Sequence, residues 1–413
     1  MKKISFLLIL CFFFQSFFAY AFDNSLESAP VEEDPAHREL RVPDRAFEAG
    51  LNADFSFANN ALPISKILQE TLVVDLDKLA DGLKINLGIG ALLYFKYDIK
   101  REWGIIGLSS IGLSTGVDSV GDLDLSGDML SFKMTEYSKS NLSRAVFGSV
   151  GIDTFFQIQE FKVKFRPAMY YTFVYVKPDI SYAYNNTDQE TQFFIDLDLR
   201  IFTAYSSVNS MPTAAPGIDF SAGVEYPLSK ETGISEKYPI LDFDVGIDFV
   251  NVPVVFSTMS SYRRMSTVLG SKEPVNIEDL MSSFGIGDSS PVYGEGEEKV
   301  YRPFKTLVWA DWRLFLGNLP LSVIPTVGFS VSNLYLKPAA VEAGLKARLN
   351  FADRYFLTGE IGYYDHLWRN SLDFALTFKA FDFNIGADLR SSDFIKSWTG
   401  HGSGVRAGFK FRL

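Results

Sequence analysis

From Leu83 onward the chain alternates. Leu83, Ile85, Leu87, Ile89, Ala91, Leu93, Phe95, Tyr97 and Ile99 are apolar, with Lys84, Asn86, Gly88, Gly90, Leu92, Tyr94, Lys96 and Asp98 between them. Successive strand side chains point to opposite faces, so a period of two spells a strand with one apolar face. The pattern returns over Phe161–Tyr175, where Lys162, Lys164 and Arg166 are among the interleaved residues. It returns again over Phe193–Ile201 around Asp196, Asp198 and Arg200, and over Leu241–Phe249 around Asp242, Asp244 and Asp248. Val341–Leu349 carries Glu342, Lys346 and Arg348 between its apolar positions. In the last ten residues Val405, Ala407, Phe409, Phe411 and Leu413 alternate with Arg406, Lys410 and Arg412.

Strands are expected at 83–99, 103–117, 128–138, 145–159, 161–177, 191–205, 217–226, 240–250, 254–266, 304–316, 320–334, 339–350, 354–364, 371–379, 383–391 and 404–413. That is sixteen, with fourteen as the alternative, because 103–117, 128–138 and 254–266 are the least regular. The connections sort by length: 178–190, 227–239, 267–303 and 392–403 are long and follow odd-numbered strands. Those at 160, 251–253, 317–319, 351–353 and 380–382 are tight and follow even-numbered ones. Three misfit this sorting: 100–102 is too short, and 118–127 and 206–216 are too long.

Upstream of Leu83 the pattern changes. Residues 22–50 are polar and charged, with Pro35 and Pro43 against any long helix. In 51–82, Ile64, Ile67, Leu68, Leu72, Leu76 and Leu79 fall near helical spacing between Pro63 and Gly82. Periodicity alone leaves two placements for such a helix, inside a barrel lumen as a plug or against its periplasmic rim. Residues 1–21 read as a signal peptide: Lys2 and Lys3, an apolar run from Ile4 to Phe18, then Ala19-Tyr20-Ala21. Cleavage after Ala21 leaves 413 − 21 = 392 residues, and the net charge moves from −11 to −13 with the loss of two lysines. Cys11, the one cysteine, lies within that leader.

With 38 Phe, 19 Tyr and 31 Gly but no later apolar run of about 20 residues, the chain fits strands that are greasy on one side, not membrane helices. The expected fold is therefore all-β: a transmembrane antiparallel up-and-down β-barrel over 83–413, behind a periplasmic arm and candidate plug helix at 22–82. Residues 267–303 would form a long acidic external loop. The acidic balance argues against nucleic acid.

If the apolar faces meet lipid, Lys162, Lys164, Arg166, Asp196, Asp198, Arg200, Asp242, Asp244, Asp248, Glu342, Lys346, Arg348, Glu360, Asp388, Arg390, Arg406, Lys410 and Arg412 point into the lumen. Charges at that depth require water or one another. They would line a hydrated channel or form a ladder of ion pairs filling a blocked interior. His366, beside Asp365, and His401, near Asp393, are the candidates for a barrel hydrolase, but no G-x-S-x-G nucleophile accompanies them. No metal or cofactor is expected, since the three histidines (His37, His366, His401) are far apart.

The terminal strand, with Phe409, Phe411 and Leu413, resembles the C-terminal assembly signal of bacterial outer-membrane barrels. That resemblance implies recognition by the barrel assembly machinery, contact with outer-membrane lipids and an outer-membrane location. The residues ahead of the first strand are similar in layout to the long-chain fatty-acid channel family, whose fourteen-stranded barrels are blocked by an N-terminal hatch and pass hydrophobic substrates into the membrane. The Asn-Pro-Ala motif of that hatch is replaced here by Asn59-Asn60-Ala61-Leu62-Pro63. This stretch, Val252-Pro253 and the wealth of Phe also resemble spirochaetal outer-membrane proteins. The resemblance implies a passive channel for small solutes or hydrophobic molecules. A surface protein working through its external loops, as an adhesin or structural barrel, is the alternative, and a hydrolase a third. Porins of sixteen strands are often trimers, so a homo-oligomer is expected by fold analogy alone.

Overall fold

The computed structural model describes residues 47–60, 63, 65, 83–103, 105–125, 135–186, 191–205, 212–231, 242–275, 292–316, 319–335, 337–351 and 354–412. The expected signal peptide, the arm up to residue 46 and most of the expected plug helix lie outside the described residues, as does Leu413. The chain runs β1 (Phe47–Asn59), β2 (Leu83–Trp103), β3 (Ile106–Leu125), β4 (Thr135–Ile158), β5 (Phe161–Asn186), β6 (Thr191–Thr203), β7 (Ala214–Ala215), β8 (Gly217–Tyr226) and a short helix α1 (Leu228–Glu231). It continues with β9 (Asp242–Val255), β10 (Ser257–Val275), β11 (Val292–Val300), β12 (Phe304–Leu316), β13 (Leu319–Val331), β14 (Ala339–Phe351), β15 (Tyr355–Tyr364), β16 (Leu367–Thr377), β17 (Phe381–Ser391), α2 (Phe394–Trp398) and β18 (Gly402–Arg412).

Fourteen of these strands close into an antiparallel ring, β1-β2-β3-β4-β5-β8-β9-β12-β13-β14-β15-β16-β17-β18 and back to β1. Closure leaves no open edge around the ring, the condition for a sheet to stand in lipid. The count is fourteen rather than sixteen, and three local features account for the difference.

First, β1 is a wall strand. Phe47–Asn59 pairs with β18 on one side and β2 on the other, so the barrel begins 36 residues before Leu83 (83 − 47) and not at it. No helix forms over 51–59. Phe55 and Leu51 face out, while Asp54 and Ser56 face in. Second, the expected strands 128–138 and 145–159 merge, within the described residues, into one strand, β4. Third, β6 and β10 are strands but not wall strands. The lower half of β5 pairs with β8 (Lys162↔Glu225 to Tyr170↔Gly217), and its upper half pairs with β6 instead (Val174↔Thr203 to Asn186↔Thr191). β10 then adds to β6, and β11 to β10, giving a side sheet that projects beyond one end of the ring.

The paired ends Ile158↔Phe161, Leu316↔Leu319, Phe351↔Tyr355 and Thr377↔Asp382 lie together at one end of the ring, and the side sheet at the other. Barrels of this class keep short turns in the periplasm and long loops outside, which orients the ring. Adding β1 resolves two of the misfits: the ends of β2 and β3 that meet at Trp103↔Ile106 fall at the periplasmic end, and the ends of β3 and β4 that meet at Asp124↔Asn141 fall at the external one. Removing β6 from the ring resolves the third. The described part of the expected external connection 227–239, which holds α1, follows the end of β8 that pairs with Lys162 and so lies at the periplasmic end.

The outer surface is a band of large apolar side chains from alternate positions, among them Leu93, Leu113, Ile152, Phe165, Trp312, Val327, Leu345, Leu372, Ile385, Val405, Phe409 and Phe411, all exposed. The buried polar side chains include Asp118, Arg166, Asp219, Asp244, Lys305, Glu342, Glu360 and Asp388. This protein is apolar outside and charged within, the reverse of a soluble domain. A hydrocarbon exterior accounts for that inversion.

Candidate functional site: the lumen and its external mouth

The inward charges pair mainly with neighbouring strands. Lys162 meets Glu225 at 2.5 Å across the β5–β8 pair. Arg313 on β12 holds Asp242 at 3.1 Å and also Asp244, both on β9. Asp248 accepts a 2.7 Å hydrogen bond from Trp309 Nε1 on the same strand pair. On the opposite wall Arg412 reaches Asp382 at 2.5 Å, and Lys410 reaches Asp382 at 3.2 Å and Glu48 at 3.5 Å. Above them Arg406 pairs with Asp373, Arg390 with Asp388 at 2.5 Å, and Arg369 with Glu360 at 3.0 Å. Lys346 stands in register with Glu360. Arg348 stands opposite Thr358 and Ser322. Desolvating single charges would be costly, and lateral pairing offsets that cost along the wall.

Asp196, Asp198 and Arg200 lie elsewhere. They are on β6 in the side sheet, where Asp198 takes a 2.9 Å hydrogen bond from Arg264 on β10, and Arg200 lies over the Tyr262 ring. Their alternation has the same period as that of wall strands, but β6 carries it outside the closed ring.

The external mouth is built differently. Here the chain between β11 and β12 passes inward, and Arg302 donates to Asp219 on β8 through Nε at 2.8 Å and Nη2 at 2.9 Å. Asp118 on β3 lies 3.9 Å from Arg302 Nη1. The side chains of all three are almost fully excluded from solvent, at 5%, 1% and 6% exposure. This fork links β3, β8 and the inbound segment, so it bridges the lumen instead of following the wall.

Above it sits a small apolar core of Val120, Ala145, Phe147, Tyr170, Tyr175, Phe202, Met259, Val300, Leu334 and Tyr335. It draws on strands β3, β4 and β5, on the side sheet and on the loop after β13. Tyr170 fastens it. The hydroxyl donates towards the carbonyls of Val255 and Val300, each at 3.2 Å, and accepts from the Ser257 amide at 3.2 Å. Its ring lies over Gly217, where a Cβ would come within 2.2 Å of it. Beneath the fork a cavity of about 150 Å³ is lined by Asp118, Arg166, Lys164, Asp248, Arg302 and Lys305 together with Leu92, Phe155 and Leu307. Arg166 lies 3.6 Å from Asp153 at its edge.

Neither external histidine sits in a catalytic arrangement. His366 and Asp365 are the two central residues of the β15–β16 turn, with φ of 65° and 49°. Positive φ at both positions is what a tight two-residue hairpin of the primed type demands. Asp365 receives Lys305 Nζ at 2.7 Å, and His366 Nε2 donates to the Lys337 carbonyl at 2.8 Å. His401 bonds Thr399 Oγ1 through Nδ1 at 2.8 Å, and its carbonyl accepts from the Asn59 amide.

Sequence reasoning missed Arg302, Asp118 and Asp219. Asp219 carried the alternation signal between Ile218 and Phe220. Arg302 carried none, because it lies outside any strand.

The architecture defines an integral outer-membrane β-barrel. No family model matches the chain, and no curated protein matches it. Among solved structures it is similar to the toluene transporter TodX of Pseudomonas putida, at 11% identity over 95% of this chain and 94% of that one, with a TM-score of 0.46. It is likewise similar to the monoaromatic hydrocarbon channel CymD (9% identity, 89% of each chain, TM-score 0.44). A Pseudomonas aeruginosa FadL homologue matches at 8% identity over 89% of this chain and 90% of that one, TM-score 0.43.

Proposed function

We propose that the barrel is a passive outer-membrane channel for small polar solutes, narrowed at its external mouth by the Arg302 fork and the apolar core above it. One observation carries this reading: most of the inward charges are paired laterally, strand to neighbouring strand, so their ladder follows the wall and leaves the axis to water. A ladder that filled the interior would cross it; among the described residues Arg302 to Asp118 and Lys305 to Asp365 reach well past their neighbouring strands, and both lie at the mouth. Paired charges of both signs suit a hydrated path without strong selection for one ion sign. They also argue against a continuous apolar path for hydrophobic molecules.

The test is conductance of the refolded protein in planar bilayers, beside an Arg302→Ala variant. Small, flickering steps in the native protein and larger, steadier ones in the variant are expected. Silence from both, with folding verified by heat-modifiable migration, would refute the channel. The surface-binding alternative is favoured by the side sheet, whose outer strand β11 carries Glu295, Glu297 and Glu298 beyond the ring. It would gain support from that silence.

A further inference from the structure

The segment between β17 and β18 stands at the external end, yet its helix is built for an apolar solvent. In α2, Phe394, Ile395 and Trp398 are exposed at 42%, 73% and 55%. The polar residues of the same turn face the protein. Ser397 is fully buried and accepts from Asn370 Nδ2 at 2.8 Å, and Lys396 Nζ donates to the Asn60 carbonyl at 2.8 Å. A helix packed on a wall in water would bury the phenylalanine and tryptophan and expose the lysine and serine. This one is turned inside out, as the barrel wall is.

Its position on the wall agrees. Asn370 on β16 is in register with Leu389 and Ile361, and it shares their outward face with Leu372 and Phe374. Its partner Ser397 therefore lies against the outside of the ring and not over its mouth. Asn370 is only two residues from lipid-facing Leu372, which at ~3.4 Å per residue is a separation of about 7 Å. Trp368, also outward, packs edge-on against Phe394 at 4.8 Å between centroids. The apolar surface of α2 is thus continuous with the lipid-facing band, at the level where barrels carry an aromatic girdle.

We propose that α2 is an interfacial anchor whose Phe394, Ile395 and Trp398 insert into the outer leaflet at the boundary of headgroups and acyl chains. The occupant of this surface is lipid. The anchor also serves the seam of the barrel, because Lys396 and the His401 carbonyl are bonded to Asn60 and Asn59 at the end of β1, where the first and last strands meet.

The proposal rests on the membrane-barrel reading, and its test separates the two. Starting from the full chain with Cys11→Ser, an environment-sensitive fluorophore is placed by Ile395→Cys, by Leu372→Cys on the wall, or by Glu297→Cys on the side sheet. Each protein is folded into phosphatidylcholine vesicles brominated near the top of the acyl chains. The label at 395 is expected to be quenched at least half as strongly as the label at 372, and the label at 297 scarcely at all. Quenching at 395 no greater than at 297, with 372 quenched, would overturn the anchor and leave the barrel standing. No quenching at 372 would overturn both. Should labelling at 395 impair folding, the bromine-quenched tryptophan emission that disappears in Trp398→Phe reads the same position: its presence supports the anchor and its absence overturns it.

Discussion

Replacing Arg302 by methionine tests the mouth most directly. The substitution keeps much of the side-chain length and removes the charge, leaving Asp219 and Asp118 buried without their shared cation. Deleting one partner of a buried pair typically costs about 3–5 kcal/mol, because the remaining charge cannot rehydrate. With a urea slope of about 2 kcal/mol per molar, a 4 kcal/mol loss lowers the unfolding midpoint by about 2 M. Equilibrium unfolding in lipid–detergent bilayers, followed by tryptophan emission, would measure it. The double variant Arg302→Met/Asp219→Leu should recover a large part of the loss, since an apolar pair of similar volume is often neutral. A cost for Arg302→Met below about 1 kcal/mol, the range of an exposed ion pair, would refute the reasoning. Water would then reach the fork freely, and the mouth would not be narrowed there.

Three further outcomes follow from the same structure. Tyr170→Phe should cost about 1–3 kcal/mol in that assay, because the buried Ser257 amide loses its acceptor; no measurable loss would mean the apolar core does not depend on this junction. Leu345→Arg, on the lipid face of β14, should destabilise by about 2–4 kcal/mol near mid-depth. A neutral effect there would place that face in water. A chain beginning at Leu83 should fail to give a heat-modifiable barrel, since β2 and β18 would each lose the partner that β1 provides. Normal folding of that truncation would show that the ring closes without β1.

How far the fold could be read ahead of time differs from element to element, for a physical reason. Alternation reports that a strand has two unlike faces, and it did so correctly for β2, β5, β9, β14 and β18. It does not report which strands share a ring. β6 alternates as cleanly as β9, with Asp196 and Asp198 where β9 has Asp242 and Asp244, yet only β9 pairs into the wall. Ring membership is decided at Tyr170–Val174, where β5 exchanges β8 for β6, and nothing in those residues marks the exchange. β1 shows the opposite failure. Phe47, Leu51 and Phe55 alternate with Glu48, Asn52 and Asp54, but alanines at 49 and 53 weaken the apolar face and the helical spacing downstream dominates. The clue lay in the connections. A loop too short after the first strand and one too long after the second together meant that the parity of the count was shifted by one. A strand before Leu83 corrects both, provided that 128–138 and 145–159 merge so that the later connections keep their sides. Arg302 was beyond this kind of reading, because its role follows from chain segments brought together by closure and from no periodicity of its own.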